Sequence, residues 1–195
     1  MTQFITFEGI DGSGKSTVSR IVYKEMKKLG YKVELTLEPT DTWIGRCVQE
    51  CIETKTDAFV TAYAFIADRV EHCKKIKEWI TQGKTVICDR YADSTYAYQA
   101  AQMQDIIDEP MKWLQEMSED IILKPDKTFL FIAEPEICIK RIQNRDNLIP
   151  FEKINFLKKV QKNYLKLSSE KKFIEIDATK PINKLVEECL EKIIH

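Results

Sequence analysis

The sequence predicts an α/β fold in which a parallel sheet is covered by helices on both faces. Short apolar, often β-branched stretches recur at 4–7, 33–37, 85–88, 128–132 and 173–176. Between them run longer segments with apolar residues three and four apart, the spacing of one-sided helices. The chain has 195 residues, 44% of them apolar and 31% charged, enough for one sizeable core in a globular protein. Strand-like and helical stretches that alternate in this way require crossover connections, and crossovers place parallel strands between helical layers.

The elements follow in order. The first strand, "FITF", runs directly into a glycine-rich segment, and a helix is expected over 15–29. Gly30 then stands where a helix end needs a left-handed residue, as Gly83 does after the long helical run 58–80. The second strand closes on Glu38-Pro39. Helical runs at 94–101 and 110–119 lead to the fourth strand, runs at 136–145 and 152–168 to the fifth, and 184–194 ends the chain. The polar stretch "RDNLIPFEK", 145–153, lies between two helical runs and contains Pro150, so a surface loop is expected there. With no repeat, low-complexity tract or linker, a single domain is expected over 1–195.

Charge narrows the function. The 30 basic and 31 acidic side chains leave a net charge of -1, so no global field favours nucleic acid or an anionic membrane. Any anion site must be local. "MTQFITFEG" lacks the pattern of a secretory signal, and no run approaches the roughly 18 apolar residues of a membrane helix. A cytoplasmic enzyme or switch is expected. Six cysteines sit at 47, 51, 73, 88, 138 and 189 with no Cys-x-x-Cys pair and only two histidines in the chain, which reads as scattered reduced thiols.

The segment "EGIDGSGKST" carries the chemistry. Gly9, four residues, then Gly14, Lys15 and Ser16 is the spacing of a phosphate-binding loop, placed after a strand and before a helix as its mechanism requires. Residues Gly9, Ile10, Asp11, Gly12, Ser13, Gly14, Lys15, Ser16 and Thr17 would cradle a nucleoside triphosphate with inward N–H groups and a helix N-terminus. Lys15 would neutralise the β and γ phosphates and the Ser16 hydroxyl would ligate Mg²⁺. The plain alternative is a glycine-rich turn with a capping serine. No Asn-Lys-x-Asp segment for guanine is present. The third strand ends "TVICDRY", which offers Asp89 to the metal's water shell and Arg90 to a second phosphate. A strand-end ion pair is the competing reading of that dipeptide.

Beyond these residues the chain resembles the thymidylate kinase family, P-loop enzymes that pass the γ phosphate of ATP to dTMP. The resemblance spans nearly the whole length, through "FITFEGIDGSGKST", "EPTDTWIG", "AFIADRVEH", "CDRYADSTYAYQ", "RIQNRDNLIPFE" and "IEIDA". It implies a P-loop NTPase fold with five parallel strands, helices on both faces, a short lid near 141–151 and a homodimer. Phe65 and Arg69, four apart on one helix face, would stack on thymine and bond its O4; unaided, they read as a core Phe beside a surface Arg. Glu38 and Pro39 would line the sugar and monophosphate pocket, and Ser94, Tyr98 and Gln99 would read sugar and base. Leu37 stands where many members have an arginine, which leaves Arg46 as the residue to assist Arg90, against a solvated helix arginine. Asp11 would face the acceptor phosphate, or cap its own turn. Ser13 is small where some members carry a catalytic arginine, so the lid would supply that charge, through Arg145, with Arg141 near ATP. The competing functions are a related nucleoside monophosphate or deoxynucleoside kinase with another base choice, and a P-loop binding module without transferase activity.

Overall fold

The computed structural model describes residues 2–142 and 151–194. Five strands, β1 (Phe4–Glu8), β2 (Val33–Leu37), β3 (Thr85–Asp89), β4 (Lys127–Ile132) and β5 (Phe173–Asp177), form one sheet in the order β2-β3-β1-β4-β5. All neighbouring pairs are parallel, with Phe7 opposite Asp89 on one side of β1 and Phe129 on the other. The central strand β1 is buried along its whole length, which is why "FITF" reads as a continuous apolar run and not as an alternation.

The helices are α1 (Lys15–Lys28), α2 (Trp43–Glu53), α3 (Ala58–Thr81), α4 (Ala92–Met103), α5 (Pro110–Ser118), α6 (Pro135–Ile142), α7 (Phe151–Leu167) and α8 (Ile182–Ile194). They cover both faces. Ile5, Phe7 and Ile87 pack with Val18, Val22 and Met26 of α1 and Leu185 and Cys189 of α8. Phe4, Val86 and Cys88, the alternate positions, pack with Ala62 and Ile76 of α3 and Ala100 of α4. Each fully buried side chain of this size contributes about 1.5–3 kcal/mol.

The expected strands are all present, and Gly30 and Gly83 adopt the left-handed conformation that ends α1 and α3, with φ 85° and 76°. Three expectations need correction. Helix α2 falls outside the helical runs expected from apolar spacing: it is capped by Thr42, whose side chain accepts from the Gly45 N–H, and it buries little besides Gly45 and Val48. A Cβ at Gly45 would run into the Thr40 backbone carbonyl, so glycine is what lets α2 lie against the end of β2. Helix α4 begins two residues before the expected 94, at Ala92, and α7 begins at Phe151, inside the stretch expected as loop. The remainder of the expected lid, including Arg145, lies outside the described residues.

The chain leaves β1 toward β2 and β3 on one side and later fills β4 and β5 on the other. The carboxyl end of β1 is therefore the switch point, where open α/β sheets leave a crevice for ligands.

Candidate active site

At that end of β1 the chain turns through Gly9, Gly12 and Gly14 at φ 139°, 82° and 93°. A Cβ at Gly12 would strike the Cys138 carbonyl of α6, so this turn needs glycine for space as well as for backbone freedom. The loop divides two cavities. Gly12 to Thr17 line an open groove of about 630 Å³ together with Arg141 and the segment Ala178 to Ile182 after β5. Asp11, one residue earlier, lines a second cavity of about 380 Å³.

In the groove, Lys15 opens α1 with its side chain buried and Nζ 3.5 Å from the Ile10 carbonyl. Burial and then the neighbouring Arg90 charge hold its pKa down at about 8, against the opposite pull of Asp11, Asp89 and Glu8. Arg141 donates to the Ala178 carbonyl at 2.9 Å and to the Gly12 carbonyl at 3.5 Å, tying the glycine loop to the segment after β5. Ser16 lines the groove. Ser13 Oγ is buried without a partner among the described residues, and so is Asp89 Oδ1 at the end of β3. Three expected groove residues do not line it: Gly9 packs against Phe131, the Ile10 side chain is in the core, and Asp11 lines the second cavity.

The second cavity brings together Asp11, Glu38, Pro39, Phe65, Arg69 and Arg90, with Ser94, Tyr98 and Gln99 along α4. Arg90 sits at φ 68°, a left-handed backbone that non-glycine residues seldom adopt. Its guanidinium donates to Asp11 Oδ1 at 2.5 Å and to Ser94 Oγ at 3.1 Å, and lies over the Tyr98 ring at 5.1 Å. Burial raises the Asp11 carboxyl pKa, but the Arg90 and Lys15 charges outweigh it and hold the group below its ordinary value. Tyr98 Oη in turn accepts from the Asp11 N–H at 3.0 Å.

Arg69 is fully buried and paired with Glu38, through Nη2 at 2.7 Å and Nε at 2.9 Å to the same oxygen. Its Nη2 also donates to Thr95 Oγ1, and Nη1 is buried without a partner among the described residues. His72 Nδ1 takes the other Glu38 oxygen at 2.9 Å. Phe65, one turn before Arg69 on α3, is half-buried at the cavity wall. Arg46 is not brought here: it is exposed on α2, and its Nη1 donates to the Asp41 carbonyl at 2.8 Å. Leu37 is 51% exposed and supplies nothing to the cavity.

Sequence reasoning missed several contributors. Ile52, Tyr91, Gln102 and Phe156 complete the cavity wall. Asp68, beside Arg69, accepts from Thr40 N and Thr40 Oγ1 at 2.8 and 2.6 Å and so fixes the approach to α2. Gln102 follows Gln99 by three on α4, a spacing that marks a shared face. Tyr91 and Asp68 adjoin Arg90 and Arg69, whereas Ile52 and Phe156 are brought in by α2 and α7, and no local pattern reports them.

A parallel sheet of this order, with a glycine loop after its central strand and a lysine opening the next helix, defines a P-loop nucleotide-binding protein. The family model described as Thymidylate kinase matches residues 7–189. A "Probable thymidylate kinase" from Methanocaldococcus jannaschii is 42% identical over 98% of this chain and 93% of its own length. Others from Methanosarcina barkeri and Methanosarcina mazei are 39% and 38% identical, each over 98% of this chain. The chain belongs to the thymidylate kinase family, and its class is that of ATP-using kinases.

Proposed function

We propose that the chain transfers the γ phosphate of ATP to dTMP, giving dTDP and ADP, with the groove beside Lys15 as donor site and the cavity beside Arg90 as acceptor site. The observation that supports this most is that consecutive residues of one loop, Asp11 and Gly12, line the two cavities. Two nucleotides bound there would meet across a single turn of backbone. On this reading Lys15 holds the donor phosphates, Arg90 leaves Asp11 for the acceptor phosphate, Phe65 stacks on the base, and the free Arg69 Nη1 donates to its carbonyl. An oxygen of the acceptor phosphate bonds to the γ phosphorus as the bond to the β-phosphate oxygen breaks. The nucleophile is already an anion, so no general base is needed and catalysis rests on alignment and electrostatics. We assign the transition-state charge to Arg145 from its place in the sequence alone.

Mg²⁺ fits the residues at hand. A serine hydroxyl in the groove and a buried carboxylate oxygen at Asp89 without a partner among the described residues are hard oxygen donors, the set Mg²⁺ takes with waters and phosphate. When bound it would neutralise charge on the phosphate oxygens. We further propose a single domain with a lid near 141–151, a cytoplasmic location and a homodimer. Among the described residues no helix is long and apolar enough to cross a membrane. Exposed Val60 and Tyr63, three apart on α3, offer an apolar patch to a second copy.

A coupled ADP-release assay with dTMP, dUMP, dCMP, dGMP and UMP tests the assignment. The reading requires dTMP to be the best acceptor. ATP binding without ADP release dependent on dTMP would identify a silent binding module instead.

A further inference from the structure

Glu8, the last residue of β1, lines neither cavity and is wholly buried, yet it carries a carboxyl group beside two sites meant for phosphate. Burying a carboxyl group there carries a desolvation cost, and an apolar residue would fill a central strand at lower cost. Its contacts account for it. Oε1 accepts from the Tyr91 N–H at 2.7 Å and the Ser94 N–H at 3.3 Å. Oε2 accepts from Ser94 Oγ at 2.6 Å and Tyr164 Oη at 3.0 Å. Helix α4 has no side-chain cap of its own, because the residue at its cap position is Tyr91. The Tyr91 N–H at that helix start is therefore served from another strand, and the Ser94 N–H is shared between Glu8 and the Tyr91 carbonyl at 3.1 Å.

We propose that Glu8 is the positioning residue of the acceptor clamp: it caps α4 across the sheet and, through Ser94, sets where the Arg90 guanidinium points. Arg90 lies between the two strand ends at a left-handed φ, and the adjoining Tyr91 N–H and the Ser94 hydroxyl on which its Nη1 rests are both held by the one carboxyl group. Tyr164 of α7 bridges the same oxygen and Ser94 Oγ, at 3.0 and 2.8 Å, and closes the cluster from the opposite side. The proposal rests on reading this cavity as the dTMP site.

Glu8→Gln keeps an acceptor for the two N–H groups and gives Ser94 and Tyr164 a donor, whereas Glu8→Leu keeps the bulk and removes every bond. Steady-state KM for dTMP and for ATP is measured on both variants and on the unmodified protein. For Glu8→Leu the dTMP KM rises about 10- to 100-fold and the ATP KM stays within about threefold; Glu8→Gln returns the dTMP KM to within about fivefold. Should Glu8→Leu not fold, Glu8→Asp decides: drawn back by one methylene, the carboxylate no longer reaches Ser94 Oγ, and the dTMP KM must rise about tenfold with the ATP KM left alone. A folded Glu8→Leu with an unmoved dTMP KM, equal rises in both constants, or a silent Glu8→Asp overturns the role of Glu8. An unmodified protein that does not phosphorylate dTMP overturns the functional reading, and this proposal with it.

Discussion

Replacing Arg69 by methionine removes a charge that serves two purposes, and the two can be measured apart. The side chain is fully buried, and its Nε and Nη2 both engage one oxygen of a Glu38 carboxylate that is itself 3% exposed. In Arg69→Met that carboxylate keeps His72 as its remaining side-chain partner. Stranding one member of a buried pair costs about 3–5 kcal/mol, read as a shift in urea or thermal unfolding. The second purpose is recognition. Among the described residues Nη1 is the Arg69 nitrogen left without a partner, and a bond from a charged donor to a base carbonyl is worth about 1.5–3 kcal/mol, or roughly 10- to 150-fold in dTMP KM. Glu38→Gln/Arg69→Met buries no charge at either position, so it recovers most of the lost stability without restoring dTMP binding. ATP KM stays within about threefold in both variants. A folded Arg69→Met with an unchanged dTMP KM, or a double variant that regains stability and dTMP affinity together, refutes the assignment of Nη1.

Three further outcomes follow from the same geometry. Burial, then the Asp93 charge, raises the Glu8 carboxyl to about 7 against the ordinary 4.5, so the folded protein holds a proton that the unfolded chain releases as pH rises between those values. Stability should fall by up to about 3 kcal/mol over that window, and Glu8→Gln should flatten the slope in unfolding curves taken from pH 5 to pH 8. Gly12→Ala places a side chain at positive φ, costing about 1–3 kcal/mol before its collision with the Cys138 carbonyl, and should weaken ATP binding in calorimetry by at least about tenfold. Phe65→Ala should cost about 1–3 kcal/mol in dTMP affinity through lost stacking and leave ATP affinity unmoved; equal losses for both nucleotides would rule out a base-stacking role.

The sheet was legible because each strand is a short apolar run set off by a glycine, a proline or a helix period, and parallel pairing follows from the alternation. Helix α2 was not, for a physical reason. It buries little besides Gly45 and Val48 and carries its glycine inside the helix, where intrinsic propensity argues against one. The packing that overrides propensity is a contact with Thr40, visible in three dimensions alone. Among site residues, Phe65 and Arg69 were legible because four positions on a helix make one face, and the cavity does contain both. Arg90 was legible from its place at a strand end. Arg46 was placed by distance along the chain, which does not say that its side chain turns back to the Asp41 carbonyl. Glu8 reads locally as the tail of an apolar strand, and its partners stand 83, 86 and 156 positions away. The segment after β5 likewise joins the donor groove through the sheet order, which strand-by-strand patterns do not contain.

The Asp11 to Arg90 pair has a consequence for which anions the acceptor site prefers. In the free protein Arg90 already has a carboxylate at 2.5 Å, so loading the acceptor is an exchange of one anion for another. An incoming group is favoured by the amount its charge exceeds that of the carboxylate it evicts. A dianionic phosphate wins that exchange, while chloride, acetate or a monoanionic phosphodiester competes at parity with an internal ligand that is always present. The clamp is thereby a comparator of charge: it should release dTMP as pH falls below the second phosphate ionisation, near about 6, while Asp11, held below its ordinary carboxylate value, stays charged and reclaims the arginine.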